Sequence, residues 1–222
     1  MKRIMTTVLA LALAGFVLAS CTQLDVVGKT AVTSFASVLE VAEVKADEIN
    51  GGWSLNAPDQ AARFIWSRDF SVSAPHDVMV EADAQPFIAA GLDPAKLPEG
   101  MLVDGMIMVG QSLGDKVFPK EAQENGSASF AQLVTLRRDT IGYHEKLDHY
   151  GVDLGGGNKF EWAKDMGKND KDIVFILDPA VLIAAGVDPA KVEGWVFAKV
   201  EMKDDAGKAI EVDKFLKPFN LA

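Results

Sequence analysis

The hydrophobic positions of this chain follow a helical period first and a strand period afterwards. Four apolar residues recur three or four positions apart, on one face of a predicted helix: Phe35, Val38, Leu39 and Ala42. Aromatic and polar residues then alternate over residues 64–69, which predicts a strand, and the apolar run 78–80 predicts another. A short helix and a third strand over 101–109 complete an α+β unit, in which we expect antiparallel pairing.

The same succession of patterns occurs a second time. Five apolar residues at helical spacing predict a helix at its start: Phe130, Leu133, Val134, Ile141 and Leu147. The apolar residues 173–176 and 195–202 predict two strands. Polar residues 203–208 then predict a hairpin turn leading into 210–212.

The two series of elements are related by an internal repeat. Residues 77–97 and 172–192 are identical at 10 of 21 ungapped positions, where ordinary residue frequencies give about one or two. A similar correspondence joins 64–69 to 160–165. The sequence therefore predicts a tandem duplication, with one α+β repeat over 31–121, another over 126–222, and two similar halves packed in one body. The two repeats are offset by 95 residues, which is longer than the roughly 20 to 50 residues of the repeats in solenoids and propellers.

Several residues shared by the two repeats have a structural explanation. Four aspartates occupy positions typical of helix caps: Asp83, Asp93, Asp178 and Asp188. Gly91 and Gly186 follow a predicted short helix, where a left-handed backbone favours glycine. Capping alone accounts for the type and position of the aspartates. The alternative is that carboxylates from both halves meet at a pseudo-twofold axis and hold a cation.

Each repeat also places aromatic and basic residues on one face of a strand. These residues are Phe64, Trp66 and Arg68 in the first repeat and Phe160, Trp162 and Lys164 in the second. Such a stripe can stack on a sugar or another flat ligand, so Trp66, Arg68, Trp162 and Lys164 are candidate ligand-binding residues. The favoured interpretation is nevertheless an aromatic core with basic residues reaching the surface.

The segment 144–149 carries two histidines and two carboxylates. It differs from the His-Glu-x-x-His zinc helix because its histidines are five residues apart, which on a helix turns them about 140° from each other. Pairs at the required spacing of four still make this a candidate metal site, formed by His144, Glu145, Asp148 and His149. A solvated helix face is the alternative that such a charged stretch favours.

The amino-terminal residues have the layout of an export signal. Lys2 and Arg3 precede an apolar stretch over 5–19, which ends in Leu18-Ala19-Ser20-Cys21. This ending resembles the lipobox of bacterial lipoproteins. The resemblance implies that residues 1–20 are a signal peptide that is removed, that Cys21 is acylated, and that 21–30 form a short tether. Thr22 after the cysteine favours the outer membrane if the host has two membranes.

Charge and cysteine content narrow the range of partners and cofactors. The formal charge of −10 becomes −12 without Lys2 and Arg3, so we expect no nucleic-acid partner. Cys21 is the only cysteine, which excludes a disulfide and a thiolate metal site within the chain. The sequence predicts no cofactor other than the covalent lipid on Cys21.

Together these features predict a lipid-anchored protein on the extracytoplasmic side of the bacterial envelope, attached to the membrane through Cys21. The favoured hypothesis is a non-enzymatic binding module that takes a small ligand in a groove between its halves, or binds another envelope protein. The alternative is a metal- or carboxylate-dependent hydrolase that acts on envelope material, and a purely structural role is a third hypothesis.

Overall fold

The computed structural model describes residues 28–71, 76–167, 171–203 and 208–221. The predicted signal peptide, the acylation site Cys21 and most of the predicted tether lie outside the described residues. The described chain has an α+β fold with two six-stranded antiparallel sheets and few helices.

The first sheet follows helix α1 (28–41). Its strands are β1 (Val44–Asp47), β2 (Gly52–Asn56), β3 (Ala62–Ser67), β4 (Val78–Asp83), β5 (Leu102–Val103) and β6 (Met106–Gln111). The short helix α2 (Gln85–Ala89) and a 3₁₀ turn (Pro94–Lys96) connect β4 to β5. The spatial order is β1-β2-β3-β4-β6-β5.

The second sheet follows helices α3 (Lys120–Gln123) and α4 (Gly126–Leu136) and a 3₁₀ turn (Arg138–Thr140). Its strands are β7 (Ile141–His144), β8 (His149–Asp153), β9 (Lys159–Ala163), β10 (Ile173–Leu177), β11 (Val196–Lys203) and β12 (Ala209–Phe219). Helix α5 (Ala180–Ala184) and a 3₁₀ turn (Pro189–Lys191) connect β10 to β11. The order β11-β12-β10-β9-β8-β7 matches that of the first sheet when strands are counted within each half.

One hydrophobic core joins the two sheets and both long helices. Phe35 of α1 stacks on Phe130 of α4 with ring centroids 3.9 Å apart. Phe64 of β3 stacks on Phe160 of β9 at 4.1 Å. Because these rings fill the space between the halves, the predicted ligand groove between the halves is occupied by core.

Each long helix also bonds to the sheet of the other half. Ser34 of α1 donates a hydrogen bond to the carbonyl of Ala163 at 2.8 Å, and Ser129 of α4 donates to the carbonyl of Ser67 at 2.6 Å. Both hydroxyls are buried, where a lost partner costs about 1–3 kcal/mol. The helices therefore tie the halves together.

A second reciprocal contact lies beyond the short helices. The amide of Asp93 donates to the carbonyl of Ala185 at 2.8 Å, and the amide of Asp188 donates to the carbonyl of Ala90 at 2.9 Å. Between these bonds, Gly91 has φ +107° and Gly186 has φ +108°. A Cβ atom on either glycine would lie 2.8 Å from the carbonyl oxygen of the other. Only glycine allows the two backbones to approach this closely.

Most elements with a clear local pattern form as predicted. The helix around Phe35 is α1, the strands near Phe64 and Val78 are β3 and β4, and the strand at 173–176 is β10. Two predictions were wrong. The third strand at 101–109 is the β5–β6 hairpin, because Asp104 and Gly105 both take positive φ and turn the chain.

The other error concerns the helix predicted through Ile141 and Leu147. Helix α4 ends at Leu136, and the following 3₁₀ turn leads into the β7–β8 hairpin. Asn125 caps the start of α4 by accepting a hydrogen bond from the amide of Ala128 at 3.0 Å. Ile141 is the first residue of strand β7. The apparent helical spacing from Phe130 to Leu147 therefore combines residues of helix α4 with residues of the hairpin that follows it.

Candidate ligand-binding groove

The second sheet curls around a groove on the face opposite the core. Its edge strands are β7 and β11, which would stand about 24 Å apart across five strand spacings in a flat sheet. Lys146, in the turn after β7, nevertheless forms an ion pair with Glu201 of β11. The two edges therefore approach each other and enclose a groove of about 440 Å³.

The floor of the groove carries a buried carboxylate, that of Glu161 on β9. Residues alternate across a strand, so Phe160 and Trp162 face the core while Glu161 faces the groove. Glu161 is only 4% exposed. Gly151 lies opposite it on β8, and a Cβ atom there would come within 2.9 Å of Glu161 Cγ. The glycine thus leaves the space that the glutamate side chain occupies.

Two histidines converge on this carboxylate from the β7–β8 hairpin. His144 and His149 are directly paired across the two strands, so their side chains lie on the same face of the sheet. The Nδ1 atom of His144 lies 3.4 Å from Glu161 Oε2, and that of His149 lies 3.7 Å from the same oxygen. The result is a cluster of three titratable side chains beside the groove.

The other ring nitrogen of His149, Nε2, shows which of the two ring nitrogens carries a hydrogen. Nε2 lies 3.0 Å from the carbonyl oxygen of Lys171, and a carbonyl only accepts, so Nε2 donates a hydrogen there. Nδ1 is buried and has no hydrogen-bond partner in the described part of the chain. In the neutral ring, Nδ1 would turn its lone pair toward a carboxylate oxygen. A proton on Nδ1 would instead give the ring a positive charge and turn an N–H group toward Glu161 Oε2, 3.7 Å away.

The environment of Glu161 changes its acidity. Burial raises the pKa of this carboxyl, but its contacts with His144 and His149, and the positive charge of these rings, lower it further, to about 2. Glu161 is therefore a carboxylate at any pH above about 3, although it is almost inaccessible to solvent.

A buried glutamate in the first sheet provides a contrast. Glu81 of β4 accepts hydrogen bonds from Arg63 at 2.5 Å and from Asn50 at 3.3 Å. Arg63 also contacts Asp47 at 3.3 Å. The charge of Glu81 is met by a guanidinium, which is always protonated. This cluster has the arrangement of a structural ion pair, whereas the partners of Glu161 are titratable histidines.

The predicted metal candidates are brought together only in part. His144 and His149 meet at Glu161, and Glu145 lines the rim of the groove. Asp148 points elsewhere, where it contacts Tyr143 and lies 3.7 Å from Lys164. Among the described residues, no group of three or more His, Cys, Asp and Glu side chains is arranged to hold a metal ion.

The predicted aromatic ligand site lies mainly in the core. Trp66 and Trp162 are fully buried, so their rings offer no surface to a ligand. Arg68 pairs with Glu48 at 2.6 Å. Lys164 lies over the ring of Tyr143, 5.4 Å from its centroid. The core interpretation of the aromatic stripe agrees with this arrangement, and the two basic residues occupy separate surface contacts.

The shared aspartates act as caps. The side chains of Asp93 and Asp188 each accept a hydrogen bond at 3.1 Å, from the amides of Ala95 and Ala190. Those of Asp83 and Asp178 each accept one at 2.9 Å, from the amides of Gln85 and Ala180. Asp93 and Asp188 are thereby confirmed as N-caps, whereas Asp83 and Asp178 bond the first helical amide from the position before the N-caps Ala84 and Pro179.

The sequence analysis did not identify Glu161 or Gly151 as site residues. One available signal was the charged residue within Phe160-Glu161-Trp162, because the corresponding position of the first repeat is Ile65. A charge where the other half has an apolar residue indicates a local difference in environment. The partner strand β8 carried no pattern that placed Gly151 opposite it.

Comparisons with known proteins do not assign the fold or the groove to a family. No family model, curated protein or solved structure matches this chain. Within the described residues, no helix is long and apolar enough to cross a membrane.

Proposed function

We propose that this protein is a lipid-anchored lipoprotein of the bacterial cell envelope that binds a small ligand in the groove of its second sheet. The observation that carries the proposal is the buried Glu161 carboxylate at the floor of that groove, 3.7 Å from a His149 nitrogen that makes no hydrogen bond within the described residues. Burying a charge and leaving a buried polar atom unpaired both cost free energy, and such costs concentrate at functional sites.

The groove has the size and lining of a small-molecule site. Its volume of about 440 Å³ lies within the roughly 300–1,000 Å³ of ligand pockets. Ile141, Ile176, Val200 and Met202 contribute apolar surface, and Glu161 with His144 contributes convergent polar groups. The anchor through Cys21 is supported by the lipobox resemblance alone, and it would hold the groove at the membrane surface.

We also infer that the two halves descend from one duplicated unit. The 10 identities in 21 positions support this, together with the matching strand orders, the equivalent hydrogen bonds of Ser34 and Ser129 to the opposite sheets, and the close approach of Gly91 and Gly186. The groove belongs to the second half, where Glu161 replaces the apolar Ile65 of the first. In this interpretation one copy acquired the binding site and the other kept a structural role.

Blocking the groove tests the proposed function. Gly142 lines the groove, and a Cβ atom there meets nothing within 4 Å, so Gly142→Leu should fill the space without disturbing the backbone. Native mass spectrometry of the protein purified from membranes should show a bound small molecule in the wild type and in Gly142→Ala. We expect its loss in Gly142→Leu. A chain that carries no ligand, or a ligand that Gly142→Leu retains, would exclude the groove as the binding site.

A further inference from the structure

The charges around the groove favour a cation. Five carboxylates line it, against two lysines; these residues are Asp139, Glu145, Asp153, Glu161 and Glu201, with Lys146 and Lys159. Lys146 is already paired with Glu201, and Asp139 with Arg137, so Glu145, Asp153 and Glu161 face one remaining lysine, Lys159. Since Glu161 is the buried member of the set, a cationic group that reached it would form a charge-assisted hydrogen bond away from water.

An apolar cavity adjoins the groove on the same face of the sheet. Its volume is about 340 Å³, and it shares Lys146, Ile176 and Val200 with the groove. Its remaining lining is largely apolar, with Leu147, Val174, Leu216 and Pro218, and Lys171 lies at the same cavity. His149 lines this cavity as well. The groove and the apolar cavity meet near Glu161 and the two histidines. The groove is the polar end of the combined space, and the cavity is its apolar end.

The described chain begins beside the rim of the groove. A Cβ atom on Gly28 would lie 3.2 Å from Arg138 Nε. The two residues that follow Arg138 in the chain, Asp139 and Thr140, line the groove. Six residues lie between Cys21 and Gly28, so if Cys21 is acylated, the seven steps from one to the other span at most about 25 Å. The groove would then open close to the lipid surface, where amphiphilic molecules are concentrated.

We infer that the ligand is an amphiphile with an ammonium head group, which binds Glu161 while its hydrocarbon tail lies along Val174, Leu216 and Pro218. The inference rests on the proposed function, because it names the class of ligand for the same groove. The ammonium group would bring its positive charge to Glu161, the most buried of the carboxylates that line the groove. The apolar cavity removes the tail from water, which favours the complex.

Three probes of equal chain length test the head-group preference: octylammonium, 1-octanol and octanoate. The described core draws on residues from Ala31 onward, so the experiment uses residues 21–222 with Cys21→Ser. Isothermal titration calorimetry at pH 7 should show octylammonium binding at least tenfold more tightly than octanol, since a hydrogen bond to a charged group contributes about 1.5–3 kcal/mol. Octanoate should bind least.

Matched variants test whether the head-group preference depends on Glu161. Glu161→Gln should weaken octylammonium binding about tenfold or more, and octanol binding by a clearly smaller factor, because a neutral hydroxyl gains less from the carboxylate charge. Glu81→Gln, which alters the buried carboxylate of the first sheet, should leave the binding of all three probes unchanged. Gly142→Leu should abolish binding of every probe.

Two results would overturn the inference in different ways. If octanol or octanoate binds as tightly as octylammonium and Gly142→Leu abolishes it, the ammonium preference is wrong and the groove remains the ligand site. If no probe binds and the protein from membranes carries no ligand that depends on Gly142, both the ligand class and the proposed function fail.

Discussion

The rings of Phe64 and Phe160 stack face to face, with centroids 4.1 Å apart and an angle of 4° between their planes. The two residues occupy corresponding positions in the two halves, on β3 and β9. Neither ring is accessible to solvent. Each sheet therefore uses the other to bury its central aromatic residue, and the two halves share one core.

This stacking predicts energetic coupling between the halves. We expect Phe64→Leu and Phe160→Leu each to lower the free energy of unfolding by about 1–3 kcal/mol. The double variant should lose less than the sum of the two, by about 1 kcal/mol, because either change alone removes the ring pair. Chemical denaturation of the four proteins measures the coupling.

Phe70 supplies a control for this cycle. Its ring contacts Phe118 at 4.8 Å and has no ring contact with Phe160 among the described residues. Phe70→Leu combined with Phe160→Leu should therefore be additive within about 0.5 kcal/mol. Equal coupling energies in both cycles would show that the stacking of Phe64 on Phe160 contributes no specific interaction energy.

The paired glycines predict an effect that depends on backbone proximity. Gly91→Ala and Gly186→Ala should each destabilise the fold by about 2–4 kcal/mol, because the new methyl group strains a positive φ and pushes against the opposite carbonyl. Gly100→Ala is the matched control, since Gly100 has φ +79° and its Cβ would meet nothing within 4 Å. It should cost only about 1–2 kcal/mol. Thermal unfolding that ranks all three variants equally would contradict the close approach.

The acidity of Glu161 predicts how stability depends on pH. The pKa of this carboxyl falls from 4.5 to about 2 in the folded protein, so its contribution is fully present above pH 4.5 and is lost as the pH falls toward 2. The advantage of the wild type over Glu161→Gln should shrink by about 3 kcal/mol between pH 5 and pH 2. Urea unfolding across this range measures the difference.

A second variant tests whether the histidines cause the low pKa of Glu161. His144→Ala removes one of the groups that lower the pKa of Glu161, so the acid-dependent loss of stability should move to higher pH. A stability difference between wild type and Glu161→Gln that stays constant from pH 5 to pH 2 would refute the assigned interaction.

The predicted acylation site has a direct test. Cys21→Ala should release the protein into the soluble fraction or stall its maturation at the uncleaved precursor, because no acyl chain could then be attached. Fractionation of cells followed by mass spectrometry of the mature amino terminus distinguishes these outcomes. Unchanged membrane association of the Cys21→Ala chain would disprove anchoring by this residue.

Local patterns in the sequence were sufficient for those elements that depend on neighbouring residues. The helix containing Phe35 follows from the spacing of its apolar residues, and β10 follows from the apolar run that begins at Ile173. The caps at Asp93 and Asp188 follow from a side chain that bonds an amide two residues away. Such interactions span only a few residues, so the sequence alone specifies them.

The candidate site depended on the tertiary structure. His144 and His149 appeared to point apart on a helix, whereas the β7–β8 hairpin pairs them and brings Glu161 between them from β9. Strand pairing joins residues that are distant along the chain, and the curl that brings Lys146 to Glu201 involves the whole second sheet. The sequence alone determined the local elements, the caps and the internal similarity. Only the packing of the complete chain decided which strands pair and where a groove forms, because those contacts depend on all strands at once.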